Sequence, residues 1–255
     1  MTQANITGIF RYPVKGLNAE SLAEAAVSEG ECIAGDRAWA IEAGTGKFDT
    51  ANPQHYPKVN FLMLAREERL AALDCRFDSD TGVLTILRDG KQVARGNLNE
   101  KIGRQLLEQF FAAFVPEASR GVPKFVHGGD VSLSDAPVKL ISIINLATVR
   151  DIERVAGIPI DPARFRGNIQ IDGIEPWEEF EWLDKTLAVN GQPLMEVRHR
   201  IERCPATSVN LETAKRDIHM PRLLLNAFNH KDCGIYAKVT ASGTIKAGDT
   251  LSVAD

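Results

Sequence analysis

The dipeptide Asn190-Gly191 constrains this chain more than any other feature, because it sits inside the stretch "LAVNGQPLMEVRHRIERC" between two β-like runs. A two-residue turn of this kind needs left-handed backbone at both positions, which Asn and Gly tolerate, and its twist matches that of antiparallel strands. The stretch therefore predicts a β-hairpin whose second strand runs toward Cys204. Asp89-Gly90 predicts another within "GVLTILRDGKQVAR". Short apolar or alternating runs at "ITGIFRYPV", "RAWAIEA", "NFLMLA", "VKLISI", "GNIQIDG" and "CGIYAKVTASGTIKAGDTLSV" read as further strands, separated by Gly, Pro, Asp and Asn.

Helical spacing occurs in three places. After Asn99, a candidate N-cap, Ile102, Leu106 and Phe110 form one row and Leu107, Phe111 and Phe114 a parallel one, both expected in the core before Pro116 stops the run. "NLATVRDIERVAG" carries Leu146, Val149, Ile152 and Val155 on one face and ends at Gly157, and "PRLLLNAF" predicts a third helix. The polar, glycine-containing segment 117–129 reads as a connection, which divides the chain into 1–117 and 118–255. Many strands with few helices favour an α+β, mostly β architecture with a barrel-like sheet over a doubly wound one.

The bulk properties exclude several function classes. Thirty basic against thirty-four acidic side chains give a formal charge of −4, so the molecule as a whole is not drawn to nucleic acid or anionic lipid, and any anion site must be local. The start "MTQANITGIF" has no secretory signal pattern and no window reaches eighteen apolar residues, so a cytoplasmic protein that does not enter membranes is expected. Cys32, Cys75, Cys204 and Cys233 form no CxxC pair, which disfavours a zinc site or an iron–sulfur cluster. Phosphate-loop, GxGxxG, GxSxG and HExxH patterns are absent, the fragment "GTGK" reads as a turn, and the five histidines show no metal-ligand spacing.

What remains is a set of cations near glycines and strand ends: Lys15, Arg37, Arg164, Arg166, Arg198, Arg200 and Arg203. Guanidinium forks hold phosphate in two-point fashion, so such a set is suited to an anion pocket; each arginine taken singly reads rather as a solvated surface charge. Cys204 follows Arg203, and a cationic neighbour favours thiolate, the form that attacks or binds a soft metal. Adjacent strand residues face opposite ways, so this pairing alone leaves Cys204 a candidate, and a small buried hydrophobe is the alternative. The same alternation weakens a nucleophile–base pair between Cys204 and His199.

The pieces "YPVKG", "GDRAWAIEAGTGKFDT", "LISIINLATV", "RFRGNI", "ERCPATSVN" and the terminal "CGIYAKVTASGTIKAGDTLSV", in this order across nearly the whole chain, resemble the MOSC family. The likeness is to the branch that includes the mitochondrial amidoxime-reducing component and its bacterial relatives. It implies a β-rich MOSC N-terminal domain packed on a MOSC β-barrel, with a molybdenum–molybdopterin cofactor between them. It implies Cys204 as the thiolate on molybdenum and the catalytic centre, and Lys15, Arg37, Arg166 and Asn168 as contacts of phosphate and pterin. Ser142, Asn145, Arg203 and Tyr236 are expected to line the same pocket. Gly16 and Gly167 stand where relatives often carry serine and proline, and "PATSV" replaces an apolar residue and paired threonines, differences that bear on substrate preference.

The function implied is an oxidoreductase that reduces N-hydroxylated small molecules or transfers an oxygen atom. Its electrons would come from a separate ferredoxin- or flavoprotein-type donor, since no cysteine set can hold a cluster. The alternatives are a sulfur carrier using a Cys204 persulfide and a non-catalytic cofactor-binding module. At family level the resemblance also carries an association with pyridoxal phosphate binding.

Overall fold

The computed structural model describes residues 3–44 and 46–254, so Thr45 of the "GTGK" fragment and the extreme termini lie outside the described residues. Seven strands close into a barrel. In order around the ring they are Gln3–Arg11, Ile169–Asp172, Ile141–Asn145, Asp232–Val239, Gln192–Glu202, Thr186–Val189 and Thr250–Val253, the last pairing back to Gln3–Arg11. All pairings are antiparallel except that between Ile169–Asp172 and Ile141–Asn145. Inside runs a row of isoleucines in register on four neighbouring strands, Ile9, Ile169, Ile143 and Ile235, all fully buried. β-Branched side chains pack well on a pleated surface, and a closed ring leaves no unpaired edge.

Closure depends on the first strand, which is drawn from the other end of the chain. A second early strand, Glu24–Val27, pairs with Gly243–Lys246, and Trp39–Glu42 pairs with Lys124–His127. Among the described residues, four strand pairings therefore join the two sides of position 117. The remaining N-terminal portion is a three-stranded antiparallel sheet, Asp74–Asp78, Val83–Arg88 and Lys91–Asn97, covered by the helix Lys101–Phe114. That helix lies close on its neighbouring strand: a Cβ at Gly103 would come within 2.2 Å of the Asn97 carbonyl oxygen.

Both dipeptide turns form hairpins, with Asn190, Gly191, Asp89 and Gly90 all at positive φ. Several local expectations fail, among them the reading of 117–129 as a connection, since Lys124–His127 within it pairs as a strand with Trp39–Glu42. Leu107 and Phe111 are buried, but Ile102 and Leu106 are 71% and 53% exposed, because the sheet covers one side of the helix only. The N-cap is Glu100, and Asn99 instead directs its amide N–H at the Asn97 side chain. "NFLMLA" is not a strand: Phe61 makes one isolated bridge to Glu42, after which the chain turns, although Phe61, Leu62 and Leu64 are buried. Buried loop and buried strand look alike in an apolar run this short.

The helix Leu146–Ala156 ends at left-handed Gly157 and buries Val149 and Ile152, while Val155 is exposed. It packs with the helix Met220–Phe228 outside the barrel, around Ile144, Phe165 and Cys233. Among the described residues no helix is long and apolar enough to cross a membrane.

Candidate functional site

The strand Gln192–Glu202 ends one residue short of Arg203 and delivers Cys204 to a cleft of about 530 Å³ between the barrel mouth and segments around residues 15, 36, 58, 64 and 135. The short turn Pro205–Ser208 begins immediately after it. The Cys204 carbonyl accepts the Thr207 N–H at 3.1 Å and the Thr207 hydroxyl at 2.8 Å, which fixes the backbone beneath the thiol. Cys204 is half-buried and lines the cleft, as none of the other three cysteines does. Burial pushes the thiols of Cys32, Cys75 and Cys233 up, that of Cys233 to about 12.

Arg203 turns inward from the same point. Its guanidinium donates to the Cys233 carbonyl through Nε at 2.7 Å and through Nη2, and to the Phe165 carbonyl through Nη1 at 2.9 Å. Its fork is committed to backbone, so it anchors the Cys204 segment to the neighbouring strand. Arg164 is likewise committed, holding Asp217 by two bonds of 2.7 Å.

Arg37 and Arg166 share one aromatic ring. Each guanidinium carbon lies 4.3 Å from the centroid of Tyr12, and each residue has left-handed backbone, φ 49° and 53°. Such a conformation is strained for arginine, and its use twice in one place shows how strongly the surroundings dictate where these cations point. Arg37 is tied down: Nη1 meets the Asp36 carboxylate at 2.5 Å and Nη2 donates to the Arg166 carbonyl at 2.9 Å. Burial acts to lower its pKa, but Asp36 outweighs this and holds the guanidinium above its ordinary value. Arg166 differs. Among the described residues its guanidinium makes no salt bridge and no hydrogen bond; burial depresses its pKa, opposed by Tyr12 and, more weakly, by Asp135 and Asp36, which lie beyond ion-pair distance. It is a cation facing the cleft without a counter-ion.

Asn168 and Ser142 lock each other. The Asn168 side-chain oxygen accepts the Ser142 hydroxyl at 2.8 Å and the Ser142 N–H at 3.2 Å, and its amide donates to the Phe10 carbonyl at 3.1 Å. The pair ties three adjacent barrel strands at the cleft floor. On the opposite side, Lys15 is buried and its ammonium donates to the Leu133 carbonyl at 2.8 Å and to Asp135 at 2.5 Å; the second oxygen of Asp135 takes Lys58 at 2.9 Å. Burial lowers the Lys15 pKa and would raise that of Asp135, but the two ammonium groups hold the Asp135 carboxyl well below the usual carboxylate range. For Lys58 the depression from burial is outweighed by Asp135, with smaller contributions from nearby Cys204 and Tyr236. Tyr236 lies tilted against His199 with ring centroids 5.2 Å apart, and burial raises its pKa against the pull of Arg203 and Arg37.

Of the nine residues that the family resemblance implies, Lys15, Arg37, Ser142, Arg166, Asn168, Arg203, Cys204 and Tyr236 line this one cleft; of the other candidate cations, Arg164 and Arg200 line it and Arg198 does not. Asn145 does not. Its side chain caps the helix Leu146–Ala156 by accepting the Ala147 N–H at 3.0 Å and donates to buried Glu179 at 2.9 Å. An asparagine directly before a helical run is itself the signal of such a cap. Tyr12 and Asp36 were missed although they lie within "YPVKG" and beside Arg37. Lys58, Asp135 and Arg200 also line the cleft, and no local pattern points to the first two.

Seven cations and three carboxylates line the cleft of a chain whose formal charge is −4, so the local field is opposite in sign to the whole. The MOSC domain family matches residues 124–252, and the MOSC N-terminal beta barrel domain family matches residues 3–113. No curated protein matches the chain. Among solved structures, YiiM from Geobacillus stearothermophilus is similar at 20% identity over 45% of this chain and 54% of its own, with a TM-score of 0.36. The chain thus spans about half the length of YiiM. The YuaD protein from Bacillus subtilis is similar at 12% identity over 98% of this chain and 94% of its own, with a TM-score of 0.43.

Proposed function

The chain belongs to the MOSC family, which is associated with molybdenum cofactor binding, and from that premise we propose that it is a molybdenum-dependent oxidoreductase. It reduces N-hydroxylated compounds, or transfers an oxygen atom, with electrons from a separate ferredoxin- or flavoprotein-type donor. The observation that carries this reading is the meeting, in one cleft, of the half-buried Cys204 thiol and the counter-ion-free Arg166 guanidinium. A soft thiolate suits molybdenum, and an open guanidinium suits phosphate, so the donor set fits a metal–pterin group.

When bound, such a group supplies two-electron redox exchange at its metal. Cys204 would hold the metal, with Arg166, Arg37 and Lys15 on the phosphate side. The Ser142–Asn168 pair keeps the cleft floor fixed, and Arg203 keeps Cys204 from drifting. Reduction of an N-hydroxyl group to the amine consumes two electrons and two protons and releases water. Tyr236, its pKa raised by burial, keeps its phenolic proton and presents Oη as a donor along the cleft wall.

The test is protein made in a host that synthesises the cofactor. Stoichiometric molybdenum and pterin are expected, with turnover of an amidoxime by an artificial reductant and none with NADH or NADPH alone. Cys204→Ser should lose this turnover while serine variants of Cys32, Cys75 and Cys233 keep it. Full turnover by Cys204→Ser with normal molybdenum would overturn the reading. Cyanide-labile sulfur on Cys204 without metal would replace it with sulfur carriage, and loaded protein without turnover with a cofactor-binding module.

A further inference from the structure

Among the described residues, Asp135 is the only carboxylate in the cleft that bridges two ammonium groups, Lys15 at 2.5 Å and Lys58 at 2.9 Å. These three residues come from distant parts of the chain, and their exposures differ: the side chain of Lys15 is 8% exposed, those of Lys58 and Asp135 37% and 42%. Lys15 is thus fixed, and is further held by the Leu133 carbonyl, whereas Asp135 has a route into solvent. The backbone just before it is pinned, since the Leu133 N–H donates to the Arg37 carbonyl at 2.9 Å and the Ser132 hydroxyl reaches the Asp36 carbonyl at 3.5 Å. Movement would fall on the Asp135 side chain and the residues after it.

We propose that Asp135 is a specificity-determining residue: an internal counter-anion that a ligand must displace, so that the cleft admits doubly charged phosphomonoesters and turns away singly charged anions. The proposal rests on the reading of Lys15 as a phosphate contact. A buried ammonium stripped of its counter-ion is costly, so Asp135 leaves Lys15 only as another anion arrives. A monoanion merely replaces one negative charge by another. A dianion replaces the single charge that Asp135 shares between the two lysines and has a second for Arg166, which makes no ion pair of its own. Asp135 is therefore the repulsive element that specificity requires, and Asp36 cannot play this part because it is engaged with Arg37 and the Tyr12 N–H.

Calorimetric titration of the cofactor-free protein at pH 8 with phenyl phosphate, a dianion, and with its methyl ester, a monoanion of similar shape, tests this. Wild type should bind phenyl phosphate at least about tenfold more tightly than the ester, and Asp135→Asn should tighten ester binding by about tenfold, so that the preference collapses. Asp135→Ser gives the same comparison should the asparagine variant melt far below wild type. Asp74→Asn, on the N-terminal sheet away from the cleft, should leave both affinities unchanged; molybdenum content is read on separately loaded protein, so failure of the metal assignment and failure of this proposal are separately visible. Unaltered discrimination in both Asp135 variants, or no binding of either compound to any of these proteins, would overturn it.

Discussion

On the barrel side of the cleft, Asn168, Ser142 and Arg203 are fixed by hydrogen bonds to backbone and to each other, and all three are buried. On the facing side, Lys15, Lys58 and Asp135 are fixed by charge, and two of the three are partly open to water. Hydrogen bonds within a barrel are indifferent to ionic strength and to mild acid; ion pairs at a cleft mouth are neither. The barrel wall is suited to holding a reacting centre still, and the loop wall to exchanging one anion for another.

Breaking the barrel wall should have the largest effect. Arg203→Met removes a buried fork and strands the Cys233 and Phe165 carbonyls, so urea denaturation should show a loss of about 3 kcal/mol. Lysine at this position should recover little, because it cannot span both acceptors. Asn168→Ala unties three strands at the cleft floor and should cost about 2 kcal/mol by the same measurement. Stability within about 0.5 kcal/mol of wild type for either variant would contradict a barrel wall built on these bonds.

The loop wall should respond to pH instead. The Asp135 carboxyl is held below its ordinary value, so its contribution to stability is fully present above the unfolded-state pKa of about 4 and is lost as pH falls toward the folded value. Hydrogen exchange should therefore speed up around residues 133–137 below about pH 4 while the amides of Ile143, Ile169 and Ile235 stay protected. Asp135→Asn should remove that acid response; its persistence would assign the loosening to another group. The smallest effect on stability is expected at Arg166, whose guanidinium has no ionic partner to lose: Arg166→Ala should melt within a degree or two of wild type. The same variant should bind phosphate-bearing ligand about ten- to a hundredfold more weakly.

Legibility in the sequence follows the range of the interactions. Asn190-Gly191 and Asp89-Gly90 could be read because a two-residue turn is decided by its own backbone. Barrel closure by Gln3–Arg11 could not, since its partners lie about 160 and 250 residues away and nothing local encodes the pairing. The helix Lys101–Phe114 shows an intermediate case: its two apolar rows look equivalent in sequence, and only the sheet decides that Leu107 is buried and Leu106 is not. Within the site, the motif resemblance pointed to Cys204, Arg37 and Arg166, which the fold gathers around one cleft. It did not distinguish Arg166, which is open, from Arg203, which is consumed by backbone, nor reveal that Lys15 already has a counter-ion 120 residues along the chain. Those distinctions depend on which acceptors tertiary packing leaves within reach.

The central claim, that Cys204 is the thiolate that holds molybdenum in this cleft, is tested most directly by X-ray absorption at the molybdenum edge on protein loaded in a cofactor-competent host. Wild type and the Cys32, Cys75 and Cys233 serine variants should show the same sulfur shell, and Cys204→Ser should show one sulfur fewer at retained pterin content. An identical sulfur shell in Cys204→Ser would contradict the account.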